Sequence, residues 1–412
     1  MEISGPAGGG KRFDPFAPVD GTAVAVFRTV FGALLAIQVA RYFLNGWIDA
    51  QFHEPRHFFP WPGLEWIRPW PRPWMHVHFA VLGGLAAAMA AGVQPRASAF
   101  LFGLGFTYAW LIDRANYLNH YYLISLLCGI LAAIPSGRTL PAWAVALLRF
   151  QVGAVYFFAG LAKLQGDWLL RGQPLRMWLA EVEGIPGLHA PGVAAALSVA
   201  AAAFDLSVPF LLRARRTRAV AYGCAVVFHL ATALLFPIGL FPWVMIAAGL
   251  VFFGGDLRPE GSCGRVPRSP AILAAAAAYA LIQVLVPLRA LRGDALWAEQ
   301  GFRFSWRVML IEKGAEARFW AEDVATGERL PVRVEDYLTP AQARQMRSQP
   351  DLLGAFARIV RLRFRGEGRE VRVRGEVWVS LNGRPASLLV DPGADLARGG
   401  PADWVRPLQD GS

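Results

Sequence analysis

Apolar runs recur along the first 290 residues, and polar or proline-bearing punctuation separates them. A bilayer span needs roughly 20 mostly apolar residues. The pattern predicts nine helices, at about 21–47, 74–93, 97–113, 119–135, 141–166, 190–212, 218–236, 238–254 and 270–288. The fourth and eighth are short, so eight or nine spans are expected. Pro135, Pro141, Pro191, Pro237 and Pro270 mark the ends, because proline cannot continue a helix.

Past Arg289 the period changes. Phe302–Ile311, Arg318–Asp323, Val371–Leu381 and Ser387–Val390 read as strands, and Thr339–Met346 and Asp351–Val360 as helices. Thr339-Pro340 has the form of an N-cap followed by proline at the first helical position. The predicted architecture is mainly α: a polytopic membrane helical bundle followed by a small C-terminal α+β soluble domain. The expected division is a polar N-terminal tail (1–20), a membrane domain (21–290), an α+β domain (291–400) and a loosely ordered tail (401–412).

Composition agrees with a membrane protein. Of 412 residues 55% are hydrophobic and only 17% charged, where a soluble domain carries about 25%. The formal net charge of +11 lies mostly in Arg of short loops and the C-terminal third. No basic helix or nucleic-acid motif accompanies it, so no nucleic-acid partner is expected; membrane lipids are. Cys128, Cys224 and Cys263 offer no disulfide or metal spacing. The N-terminus lacks a short apolar core with a cleavage site, so the first apolar segment is read as an uncleaved anchor.

With alternating spans, Lys11, Arg12, Arg96, Arg138, Arg213, Arg215, Arg216, Arg218, Arg258, Arg265 and Arg268 share one side. Arg56, Arg68, Arg72, Arg114, Arg171 and Arg176 share the other. The positive-inside rule makes the N-terminus cytoplasmic and, with nine spans, the C-terminal domain extracytoplasmic. The 48–73 loop, His120, Lys163 and the Phe236–Phe241 turn then fall on that same outer face.

Two ionisable groups stand at the edges of apolar runs: His120 after Asn119, and Lys163 near the end of the fifth run. Such groups at membrane helix ends are candidates for function. Arg149, Tyr156 and Lys163 recur every seven residues and so line one helix face. An apolar surround disfavours the ammonium, and a neutral amine can take a proton from a weakly acidic hydroxyl. The alternative is a snorkelling lysine paired with Asp167 one turn later. Asp205 and His229 lie deeper, with pairing to each other or to Arg149 left open. His76 and His78 fall on different helix faces. His53 and His57 sit in a Trp/Pro-rich interfacial stretch, and no metal is expected.

These residues occur in ordered motifs. They include Phe27-Arg28, Leu111-Ile112-Asp113-Arg114 before Asn119-His120, Leu148-Arg149-Phe150-Gln151, Ala159-Gly160, and Lys163-Leu164 with Asp167-Trp168. They continue through Phe204-Asp205-Leu206-Ser207, Phe228-His229, Leu235-Phe236-Pro237-Ile238-Gly239-Leu240-Phe241, Phe304-Ser305-Trp306-Arg307-Val308-Met309 and Val377-Trp378-Val379-Ser380-Leu381-Asn382. As an ordered set they resemble the vitamin K-dependent γ-glutamyl carboxylases and their bacterial relatives with a horizontally transferred transmembrane domain.

The resemblance implies an enzyme of a bacterial inner membrane with vitamin K hydroquinone or menaquinol as co-substrate, together with O2 and CO2. Oxygenation of the quinol to its epoxide would drive removal of the γ-proton of a peptide glutamate, which then adds CO2. By resemblance, Lys163 deprotonates the quinol, and His120 beside Asn119 supports the later anionic step. Tyr156, Arg149, His229, Phe241, Trp306 and Arg307 are the candidate substrate-binding residues. Two departures fall where the last span meets the soluble domain, Ala290 for a common histidine and Phe302 for a tyrosine; they bear on whether carboxylation is retained. The competing readings are an epoxidase alone, a non-catalytic lipid- or quinone-binding protein, and a transporter using Arg149, Asp205 and His229 as a relay.

Overall fold

The computed structural model describes residues 14–236, 238–254 and 268–408. Lys11, Arg12, Pro237, Arg258, Cys263 and Arg265 lie outside the described residues. Each expected apolar segment contains a helix. These are α1 (Thr22–Leu44), α3 (Trp74–Ala91), α4 (Pro95–Leu111), α5 (Asn119–Ala133), α6 (Ala142–Lys163), α9 (Val193–Arg213), α10 (Arg218–Leu235), α11 (Phe241–Gly249) and α12 (Pro270–Leu288). Short helices α2 (Trp47–Phe52), α7 (Gly166–Leu169) and α8 (Leu175–Ala180) sit in the connections.

Among the described residues six helices are long and apolar enough to cross a bilayer, begun by α1, α3, α6, α9, α10 and α12. The expected eight or nine spans count the shorter apolar helices as well as these six. The segments at 119–133 and 241–253 are shorter apolar helices, packed against the longer ones. The chain is an integral membrane protein.

Small residues set helix spacing. A Cβ on Gly32 of α1 would stand 2.6 Å from the backbone nitrogen of Ala90 in α3. One on Gly160 of α6 would stand 2.8 Å from the nitrogen of Leu206 in α9. The second approach matters for the chemistry below.

At one end of the bundle lies a strand pair that sequence reading missed. β1 (Pro18–Asp20) pairs antiparallel with β2 (Thr139–Pro141), so residues assigned to a polar tail are tied to the start of α6. At the other end sits a four-stranded antiparallel sheet of order β4-β3-β5-β6, formed by β3 (Lys313–Asp323), β4 (Arg329–Val332), β5 (Val371–Leu381) and β6 (Ser387–Leu388). Helices α13 (Pro340–Ser348) and α14 (Pro350–Gly366) pack on it through Met346, Leu352, Leu353 and Phe356. Thr339 and Gln342 complete a capping box at α13, worth about 1 kcal/mol.

Two expectations fail here. Phe302–Ile311 is not a strand, because Phe304, Trp306 and Met309 adopt left-handed backbone at φ 64°, 55° and 51°. Such residues are costly and persist only where surroundings hold them. Trp306 is fully buried and stacks on Tyr122, while the Phe304 ring meets Trp61, Tyr117 and Tyr122. The expected loose tail is also ordered as far as Leu408: α15 (Pro401–Trp404) buries Trp404, and Val405 bridges to Val390.

The sheet domain is bolted to the bundle by buried and half-buried polar contacts. Gln342 donates to Asp113 at 2.7 Å, and Arg114 meets Asp351 at 2.7 Å. Asp167 accepts from Arg384 at 2.5 Å and from Asn382 at 2.9 Å. Burial raises the Asp167 carboxyl, but those hydrogen bonds and the Arg384 and Arg171 charges outweigh it and hold it below its ordinary value. A carboxyl held low in the folded state contributes stability that is complete above its unfolded value and lost as pH falls through its folded value. Acidification into that range should loosen the 381–384 turn before the helices melt. Faster hydrogen exchange confined to that turn and to 166–171 is expected; uniform exchange across the sheet would contradict it.

Candidate functional site

Helix α6 ends against α9, and Gly160 permits the approach. Lys163, 5% exposed, lies one turn beyond and places Nζ 2.7 Å from Asp205 Oδ2, itself 3% exposed. Nζ also approaches the Ala159 carbonyl at 3.4 Å and the Trp168 ring centroid at 5.2 Å. The sequence alternative, pairing with Asp167, is not what the fold does, since Asp167 faces Arg384 and Asn382. The partner comes from a helix 42 positions away. Breaking such a buried pair by removing one member costs about 3–5 kcal/mol.

Two turns earlier on α6, the Tyr156 hydroxyl lies 2.7 Å from His229 Nε2. If the phenol donates, the imidazole proton resides on Nδ1, and that buried nitrogen has no hydrogen-bond partner among the described residues. Asp205 and His229 therefore bind different partners rather than each other. Arg149 is also placed elsewhere: its guanidinium donates to the carbonyls of Val251 at 3.1 Å and Phe252 at 2.9 Å, and to Gly254. It ties the opposite end of the bundle, which corrects its expected place at the substrate site. Among the described residues Asp205 pairs with Lys163, His229 with Tyr156 and Arg149 with carbonyls at the far end of α6, so these three side chains serve separate partners rather than a relay.

Lys163, Asp205, Tyr156 and His229 all line one cavity of about 660 Å³, within the 300–1,000 Å³ range of small-molecule sites. The rest of its wall is apolar, with Trp168, Phe204, Phe228, Phe241 and Met245 among the residues. Exposed Val220 and Val227 of α10 belong to it as well, so its edge reaches the surface that faces lipid.

His120 and Asn119 line a second cavity of about 590 Å³, with Gln38, Arg41, Gln51 and Arg307. The Asn119 amide donates to the Arg307 carbonyl at 3.2 Å and accepts from Tyr117 at 3.1 Å, which anchors the irregular 302–311 segment over the start of α5. Ile238, Phe241, Val308 and Met309 line both cavities. Trp306 lines neither; it is fully buried against the Tyr122 ring, a correction to its expected substrate contact. Phe302 lines a third cavity with Arg289, Arg303 and Asp351, and Ala290 packs against Gly301.

The fold thus brings Lys163, Tyr156, His229 and Phe241 together, and sets His120, Asn119 and Arg307 immediately beyond Phe241. The HTTM domain family matches residues 16–256, and the lumenal domain of the vitamin K-dependent gamma-carboxylase matches residues 268–411. This chain belongs to the vitamin K-dependent γ-carboxylase family. The two matches cover both the helical bundle and the sheet domain, in the order expected for this family. No solved structure matches the chain.

Asp205 is the residue that sequence reasoning undervalued. Its signal was present, a lone carboxylate inside an apolar run, yet no periodicity could say which cation it meets. Gly160 offered a second clue, since a glycine inside a membrane helix marks close helix approach.

The separation of Gly160 from α9 is testable. Gly160→Val is expected to force α6 from α9, lower stability by about 1–3 kcal/mol, and impair any chemistry that needs the Lys163–Asp205 pair. Thermal unfolding in detergent checks the first effect and turnover the second. An unperturbed Gly160→Val protein would show that the close approach is not required.

Proposed function

We propose that this carboxylase-like membrane protein oxygenates a reduced quinone, vitamin K hydroquinone or menaquinol, and couples that reaction to γ-carboxylation of a glutamate in a peptide or protein. In the balanced reaction, O2 supplies one oxygen atom to the epoxide and one to water. The two quinol hydrogens enter that water, and the glutamyl C–H becomes C–CO2H by addition of CO2. The observation that carries the reading is a buried lysine–carboxylate pair facing an apolar cavity large enough for a small molecule.

The pair holds one acid proton between two basic atoms, Nζ and Oδ2. Accepting a second proton from a quinol hydroxyl gives an ammonium beside a neutral carboxylic acid, with the new oxyanion next to the ammonium. Net charge in the apolar chamber stays at zero throughout, which avoids the cost of an isolated buried ion. Roughly 10 Å of rise along α6 separates Lys163 from Tyr156, room for one aromatic nucleus between the two polar stations. The Nδ1–H of His229 would donate to the far oxygen.

His120 and Asn119 would serve the second half-reaction, with Arg41 and Arg307 supplying positive charge for a carboxylate substrate. The proposed setting is a bacterial inner membrane with the N-terminus cytoplasmic and the sheet domain outside, as the arginine asymmetry suggests. The test uses purified protein in detergent with hydroquinone, O2, labelled CO2 and a short glutamate-containing peptide. Epoxide and fixed label are measured separately. Both products are expected; epoxide alone would restrict the activity to oxygenation, and neither, across several quinols, would overturn the proposal.

A further inference from the structure

The two cavities differ in chemistry and share a wall one side chain thick. Lys163 and Asp205 stand in an apolar chamber, whereas Gln38, Arg41, Gln51, Asn119, His120 and Arg307, beside Trp47, Leu118 and Leu240, make the neighbouring chamber the more polar of the two. Phe241 is the central panel of that wall. Its ring centroid lies 6.0 Å from the His229 ring on one side and 6.4 Å from the His120 ring on the other. Ile238, Val308 and Met309 complete the panel. Two of these come from the α10–α11 connection and α11, two from the irregular 302–311 segment, so the bundle and the segment leading to the sheet domain each supply half.

The construction of this wall is specific. Gly239, with φ +64°, turns the chain immediately before α11, and a Cβ there would lie 3.9 Å from His120 Nε2. The turn therefore presents Phe241 between the imidazoles while keeping the backbone close to one of them. Met309, also left-handed, closes the facing side.

We propose that Phe241 is the positioning residue that couples the two half-reactions: the glutamyl γ-carbon meets the strong base at the ring's edge, where the two chambers adjoin, while the ring keeps water of the more polar chamber out of the chamber in which that base arises. The inference rests on the function proposed above and concerns the ratio of the two products. A strongly basic oxyanion in an aqueous cavity takes its proton from water; held in a dry one, it survives to meet a carbon acid. Removing the phenyl ring merges the chambers. The base is then quenched by proton transfer from water, giving hydroxide in place of a glutamyl carbanion, and epoxide accumulates without carboxylate.

The experiment measures labelled CO2 fixed per epoxide formed in wild type, Phe241→Ala and Phe241→Met, with thermal unfolding as the folding control. The ratio should fall severalfold in Phe241→Ala and recover in Phe241→Met, which refills most of the volume. Val308→Ala opens the wall from its other side and should lower the ratio in the same direction, so the test survives if one variant does not fold. An unchanged ratio in a folded Phe241→Ala or Val308→Ala protein overturns the partition. Wild type that forms no epoxide is a different result and ends the functional reading itself.

Discussion

Lys163→Ala should form no epoxide above background and fix no label. General-base catalysis contributes about 10²–10⁴ in rate, and the other basic groups lining the apolar chamber are the carboxylate that the substitution would leave behind and His229, whose Nε2 already faces the Tyr156 hydroxyl. That leftover charge complicates a single substitution, because an unpaired Asp205 in this surround costs about 3–5 kcal/mol. The double variant Lys163→Ala, Asp205→Asn removes the stranded charge. It should unfold near the wild-type temperature and still lack turnover. Asp205→Asn alone keeps the amine but deprives it of the atom that stores its proton, so epoxide formation should fall and its pH dependence should change. Wild-type turnover in Lys163→Ala, or in a folded double variant, would remove this pair from the chemistry.

His120→Ala should separate the two half-reactions, which a loss at Lys163 removes together. The imidazole lies beyond the Phe241 panel, in the chamber with Arg41 and Arg307, where it can hold an anion but does not line the apolar chamber with Lys163. Loss of one preorganised donor to a developing anion costs about 10²–10³ in rate. Carboxylation should therefore fall by roughly 10²-fold, and epoxide by much less. Equal losses of epoxide and label would place His120 in the oxygenation step and would contradict the division of labour between the cavities. A His120→Gln comparison is informative, since an amide can still donate a hydrogen bond without changing charge.

Local pattern was legible because it is local. Apolar runs and prolines located the membrane helices, since span length follows from bilayer thickness. Thr339-Pro340 marked the start of α13, where Gln342 adds the reciprocal half of the cap. The same logic misplaced Phe302–Ile311. Its aromatic residues suit a strand, yet each of Phe304 and Trp306 found a partner in the bundle, and three left-handed residues follow from satisfying those partners rather than a ladder. The β1–β2 pair was invisible for a related reason: three residues per strand carry too little pattern, and the partners lie about 120 positions apart.

Sequence by itself determined that this is a membrane-embedded helical bundle with a sheet domain after it, and that Lys163 and His120 stand where a charge is costly. It did so because hydrophobic length and the price of burying an ionisable group are properties of residues one at a time. Tertiary structure decided which carboxylate holds the lysine, that Arg149 belongs to the far end, and that Phe241 divides an apolar cavity from a polar one. Those facts depend on how closely helices distant in the chain approach, and a side chain's partner across such a gap is set by packing, not by spacing.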